Sequence, residues 1–257
     1  MKPRSFKEIV ASALPFIQSN PAREKSPSPE EIGEQAYRLA IQSISDDQWG
    51  HGGGDAFDAM MELSRKMPAP RVLELGTRRA LPELSTRHHR FFPHASEYLG
   101  TDIEMAVDVD FVADVHRLSQ FTGEESFDII FTEAGFEHFK YPHLAAHEIM
   151  KVLRIGGVIF AQTHQTFPIH GVPHDYFRFS TDAMRSLFGA KMGMKIHAAG
   201  YGSPAKIYSR VDPGGRNWPA FLHVNICAEK IAPTPKDYVF EYDCLLDAVP
   251  AVAKTQA

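Results

Sequence analysis

The sequence predicts an α/β domain, doubly wound about a mostly parallel sheet. Three observations carry that prediction. From Arg71 onward short apolar runs alternate with helical segments. The first five runs are separated by enough chain for crossover connections. Acids and glycines gather just after those runs, at the carboxyl ends of the strands, where such sheets hold their ligands.

The strands are expected at Arg71 to Leu75, Glu97 to Thr101, Phe111 to Ala113, Phe127 to Thr132, Val158 to Thr163, Lys195 to Ala199 and Ala220 to Lys230. Helices are expected at Leu81 to Phe91, with Pro82 in its first turn, and at Pro142 to Leu153 and Thr181 to Leu187. Ahead of the sheet, Phe6, Ile9, Val10, Ala13 and Leu14 recur at helical spacing, and a Pro-rich linker follows. Ser28, Pro29, Glu30 and Glu31 resemble a helix start, with Ile32, Ala36, Leu39, Ala40 and Ser43 on one face. Beyond the connection holding Gly52, Gly53 and Gly54, the residues Phe57, Met60, Met61 and Leu63 predict a helix that stops before Pro68. The chain thus divides into a helical extension or lid (1–68), a sheet domain (69–232) and a tail (233–257).

Composition narrows the function. With 27 Lys and Arg against 32 Asp and Glu, the net charge of −5 opposes a polyanion, so nucleic acid is not the expected partner. No apolar run approaches the roughly 18 residues of a membrane span, and the N-terminal stretch is interrupted by Lys7, Glu8 and Pro15. Neither membrane anchor nor signal peptide is expected. Cys227 and Cys244 fit no metal or redox spacing, which suggests free thiols in a reducing, cytoplasmic setting.

Five strand ends point to one chemistry. Glu74-Leu75-Gly76-Thr77 ends a buried strand in an acid and a glycine, where Gly76 lets backbone approach a ligand. Asp102 follows about 26 residues later, where folds of this type hold a ribose diol. Ala113-Asp114-Val115 sets an acid beside a backbone N–H suited to an adenine edge, although Asp102 or Asp114 alone would serve equally as a cap or turn residue. The fourth end carries Glu133, Glu137 and His138, and the fifth strand is preceded by Leu153-x-x-Gly156-Gly157.

In their order and spacing these strings resemble the motifs of the class I S-adenosylmethionine-dependent methyltransferases, over about Arg71 to Lys230. The resemblance implies a Rossmann-like seven-stranded sheet whose last strand, Phe221 to Ala228, is antiparallel. It also implies S-adenosylmethionine as cofactor. Glu74, Gly76 and Thr77 would lie at the methionine part, Asp102 at the ribose, and Asp114 with Val115 at the adenine, with Glu133 also at the pocket. The chain departs from the pattern in having Thr77-Arg78-Arg79-Ala80 where two further glycines are usual. That loss weighs against a dinucleotide, whose pyrophosphate needs them, more than against a ligand without phosphate.

The stretch Gln162 to Ser180 gathers polar, aromatic and titratable groups after the fifth strand, and resembles a signature of uncharacterised bacterial methyltransferases related to the type 11 group. Methyl transfer needs the acceptor held in line and, for a hydroxyl, a proton acceptor. The candidate bases are His164, His170 and His174, with Asp175 orienting an imidazole and His138, Tyr176 or Arg178 placing the acceptor. Equally, Asp175 and Arg178 form a structural ion pair while the aromatics pack a lid. A metal set of His164, His170, His174 and Asp175 fits no zinc spacing, and no metal is expected. The expected function is methylation of a small-molecule acceptor, with oxygen favoured over nitrogen or carbon because a His-rich site offers a proton acceptor. A homodimer is compatible with this. The alternatives are a scaffold on a decayed methyltransferase domain and, with less support, a nicotinamide-dependent oxidoreductase.

Overall fold

The computed structural model describes residues 28, 54–78, 88–207 and 218–240. The helices expected around residues 6–14 and 32–43, Cys244, and most of the helix expected at 81–91 lie outside these residues. The chain forms two compact units, 1–50 with 204–221, and 51–203 with 222–257. In the first, the described residues are Ser28 and the ends of two strands; the second holds everything below.

Seven strands make one sheet in the order β3-β2-β1-β4-β5-β7-β6. They are β1 (Arg71–Leu75), β2 (Glu97–Asp102), β3 (Phe111–Val112), β4 (Phe127–Glu133), β5 (Leu153–His164), β6 (Met194–Ile207) and β7 (Trp218–Lys230). β1 pairs in parallel with β2 and β4, β2 with β3, and β4 with β5, whereas β7 runs antiparallel to β5. This is the expected seven-stranded, doubly wound arrangement with its antiparallel last strand.

Alternation along the strands builds a core on each face. Leu73, Leu75, Ile130, Ile159 and Ala161 point to one face, where Ala145, Ala146, Ile149 and Met150 of helix α3 (Pro142–Val152) cover them. Val72, Ile129, Phe131, Val158 and Phe160 point to the other, against Ala56 and Met60 of helix α1 (Gly54–Arg65). The short helices α2 (Leu118–Thr122) and α4 (Thr181–Leu187) complete the fold; Ser180 caps α4 by accepting from the Ala183 N–H. Pro142 starts α3 at a position where its missing N–H is harmless. The segment 231–240 packs back on this unit: Pro235 O faces His147 Nε2, and Tyr238 Oη donates to Ser186 O.

Most strand boundaries fall within two residues of expectation, and those of β5 and β6 depart further. β5 begins at Leu153 rather than Val158, because Leu153 pairs with Phe127 before an irregularity that resets the register at Ile129. Gly157 is needed in that strand: a Cβ there would lie 2.9 Å from Arg154 O and 3.0 Å from Asp128 O. β6 runs on past Ala199 to Ile207 despite Gly200, Gly202 and Pro204; among the described strands it lies at the sheet's edge, the position where proline is tolerated. His88–Phe91 is a 3-10 turn, and α2 was not expected. Cys227 is buried in the sheet as a free thiol, and burial pushes its pKa up to about 12. Among the described residues no helix is long and apolar enough to cross a membrane.

Phe131 is fully buried, its ring 5.3 Å from Phe160 and 6.0 Å from Phe92. Replacing it with Ala is expected to destabilise the fold by about 3–5 kcal/mol, read as a lower urea midpoint at unchanged slope. A midpoint near wild type would show that this face does not carry the stability assigned to it.

Candidate functional site

The carboxyl ends of β1 and β2, with the residues just after β3, enclose a cavity of about 280 Å3. Gly76, Asp102, Asp114 and Val115 line it, and His138, His174 and Tyr176 continue the lining on the far side. Gly76 has φ +73°, a conformation that favours glycine, and its backbone faces Gly135. Its N–H and that of Thr77 both donate to Thr101 O, at 2.9 and 3.2 Å. Asp102 accepts from the N–H groups of Ile103 at 2.7 Å and Arg78 at 3.0 Å, which ties the loop after β1 to the end of β2.

Asp114 caps a 3-10 turn, accepting from the His116 N–H at 2.9 Å and from His116 Nδ1 at 2.8 Å. The Tyr141 N–H donates to His116 Nε2, so the tautomer with Nδ1–H satisfies both contacts. Burial raises the Asp114 carboxyl pKa, but the bonds from His116 and the charge of Arg117 outweigh it and hold the group below its ordinary value.

Glu74, Thr77 and Glu133 do not line the cavity. The Glu74 carboxylate is buried and takes the Tyr98 hydroxyl and His88 Nδ1, while His88 Nε2 lies 3.3 Å from Glu133. Thr77 is buried beside Gly100, where a Cβ would lie 2.9 Å from its methyl group.

The loop from Gln165 to Ser180 docks on the 3-10 turn Phe136–His138 that follows β4. The N–H groups of Tyr176 and Phe177 both donate to Glu137 O, at 2.8 and 3.2 Å. Arg178 holds the loop from within: its guanidinium donates to both oxygens of Asp175 and to the carbonyls of Phe167, Pro168 and Phe177. A guanidinium has five N–H donors, and those contacts use the set. The Arg178 hydrogen bonds hold the Asp175 carboxyl well below the usual range against a modest burial effect, and Asp175 in turn raises Arg178.

Behind this loop the side chain of Glu137, which is fully buried, meets three histidines. His164, His170 and His138 place Nε2 at 3.0, 3.7 and 3.8 Å from Glu137 Oε1. Thr163 Oγ1 donates to Oε2 at 2.6 Å. Burial raises the Glu137 carboxyl, yet His164 and Thr163 more than offset it, leaving an ionised group. His164 is buried and stacks on Phe167 at 4.0 Å. The four-residue metal set considered from sequence is not what converges here. Asp175 is committed to Arg178, and His174 Nδ1 lies 3.0 Å from Tyr176 Oη, while Glu137 is the residue that sequence reasoning left out of the set.

Residues 87–161 match the family model described as a methyltransferase domain. Over that stretch the chain is similar to a methyltransferase domain. Among solved structures, this domain superposes on a protein of Bacillus halodurans C-125 assigned to the methyltransferases, with TM-score 0.50 and 15% identity over 71% of this chain and 100% of that one. The YcgJ protein of Bacillus subtilis gives TM-score 0.49 at 16% identity over 69% and 98%. The trans-methyltransferase CalH, solved with SAH, gives 0.49 at 15% over 68% and 55%. No curated protein sequence matches the chain significantly.

Asp175→Asn removes the charge while keeping the shape of the loop anchor. Hydrogen exchange at the His170, Tyr176 and Phe177 amides is expected to accelerate about tenfold, the lower end for a lost charged hydrogen bond. Unchanged exchange would mean that the Asp175–Arg178 pair does not hold the loop.

Proposed function

We propose that the chain transfers the methyl group of S-adenosylmethionine to a hydroxyl oxygen of a small-molecule acceptor. The observation that carries the reading is the single cavity lined by Gly76, Asp102 and Asp114 from three successive strand ends, which continues to His138, His174 and Tyr176. Gly76 would face the methionine part, Asp102 would accept from the ribose hydroxyls, and Asp114 with Val115 would hold the adenine. In this scheme Glu74 supports the end of β1 through Tyr98 and His88.

Of the three candidate bases, His174 alone lines the cavity. In the tautomer whose Nδ1–H donates to Tyr176 Oη, Nε2 carries the lone pair and acts as the base. The acceptor oxygen attacks the methyl carbon as the carbon–sulfur bond breaks, and the hydroxyl proton passes to His174. The products are a methyl ether and S-adenosylhomocysteine.

Titration calorimetry with S-adenosylmethionine and S-adenosylhomocysteine is expected to show binding that Asp102→Ala weakens about ten- to a hundredfold, the loss of one or more charged hydrogen bonds, with NADH giving no heat. Absence of binding to wild type would sink the cofactor assignment and leave a scaffold on a decayed domain. With an acceptor in hand, His174→Ala is expected to lower kcat by about 10²–10⁴ at unchanged cofactor affinity; unaltered turnover would remove His174 from the scheme.

A further inference from the structure

We propose that His138, His170 and Glu137 form a binding site for one divalent first-row transition cation, beside the cavity. His138 Nδ1 lies 2.8 Å from His174 O, and His170 Nδ1 lies 3.1 Å from Pro168 O. A carbonyl oxygen only accepts, so in both rings Nδ1 bears the hydrogen and a neutral imidazole leaves its lone pair on Nε2. Those two Nε2 atoms face the same carboxylate oxygen, Glu137 Oε1, at 3.8 and 3.7 Å, and the three ligand atoms lie within 4.8 Å of one another.

Three electron-rich atoms turned toward one point repel unless a positive centre lies between them. Among the described residues Glu137 Oε1 is buried without a geometrically formed hydrogen bond, with His164 Nε2 standing 3.0 Å away. Oε2, by contrast, is fixed by Thr163 Oγ1. That division, one oxygen oriented and the other left bare, suits a metal-ligating carboxylate, just as the carbonyl-bonded Nδ1 atoms suit ligating histidines. Metal bonds of about 2.0–2.1 Å put neighbouring ligand atoms about 3.0–3.4 Å apart, so each imidazole closes on the carboxylate by a few tenths of an ångström, and the two imidazoles close on each other from within 4.8 Å. Gly171 keeps the backbone against the His138 ring, where a Cβ would lie 2.7 Å from Cε1.

Two imidazoles and one carboxylate favour zinc, iron(II), manganese or cobalt over magnesium, and leave coordination positions for an outside oxygen ligand. His138 also lines the cavity, so such a ligand would sit at its wall. The assignment does not rest on methyl transfer, and its test needs no cofactor.

The full chain, stripped with a chelator and dialysed, is titrated with Zn2+ and, separately, with Co2+ followed by visible absorption; Mg2+ is the comparison. One Zn2+ per chain with micromolar or tighter affinity is expected, together with cobalt bands of a nitrogen–oxygen site. Glu137→Gln and His170→Ala should each weaken binding by more than about a hundredfold, while His197→Gln, at a histidine bonded to Glu229 outside the cluster, should not. Circular dichroism and thermal melting show that each variant is folded. Absence of zinc binding by wild type overturns the proposal, as does affinity that the folded Glu137→Gln variant retains. Zinc binding without S-adenosylmethionine binding would leave the metal site standing and refute only the methyl-transfer reading.

Discussion

The buried carboxylate of Glu137 is the constraint around which the candidate site is arranged. A charge removed from water must be met by donors or cations: Thr163 Oγ1 donates to one oxygen of this carboxylate, and three imidazoles face the other. β5 supplies Thr163 and His164 at its carboxyl end, and the 165–180 loop returns His170 to the same point. The main-chain carbonyl of Glu137 also receives the loop's Tyr176 and Phe177 amides. One residue therefore fixes both the inner surface of the loop and the end of the strand that it leaves.

The architecture was legible in the sequence because its signal is local. Consecutive apolar residues such as Val72-Leu73 and Ile129-Ile130 mark strands buried on both faces, and the positions of Gly76, Asp102 and Asp114 after successive strands follow from chain direction alone. Boundaries were less legible where pairing overrides composition. β5 starts at Leu153 because of what lies beside it, and β6 carries Pro204 at the edge of the described sheet, a place that local composition does not reveal.

The candidate site was legible by region and not by contact. Gln162 to Ser180 stood out by composition, but composition cannot say that Arg178 turns inward on Asp175, or that Glu74 is taken by Tyr98 and His88. Glu137 was visible only as one acid in the run Glu133 to His138. Its weight comes from His164 and His170, distant in sequence and brought near by the loop's return. The usable signal was the coincidence of an acid after β4 with several histidines after β5, since adjacent parallel strands deliver their ends to the same place.

The closed hydrogen-bond set of Arg178 has a consequence for recognition. Its donors are satisfied by the loop's own carbonyls and by Asp175, so this wall is ordered by folding and not by the arriving ligand. Binding then loses little entropy in arranging it. On the proposed function, discrimination among acceptors would fall to shape and to the exposed rims at His174 and Tyr176, and a poorly fitting molecule would gain nothing by persuading the wall to move.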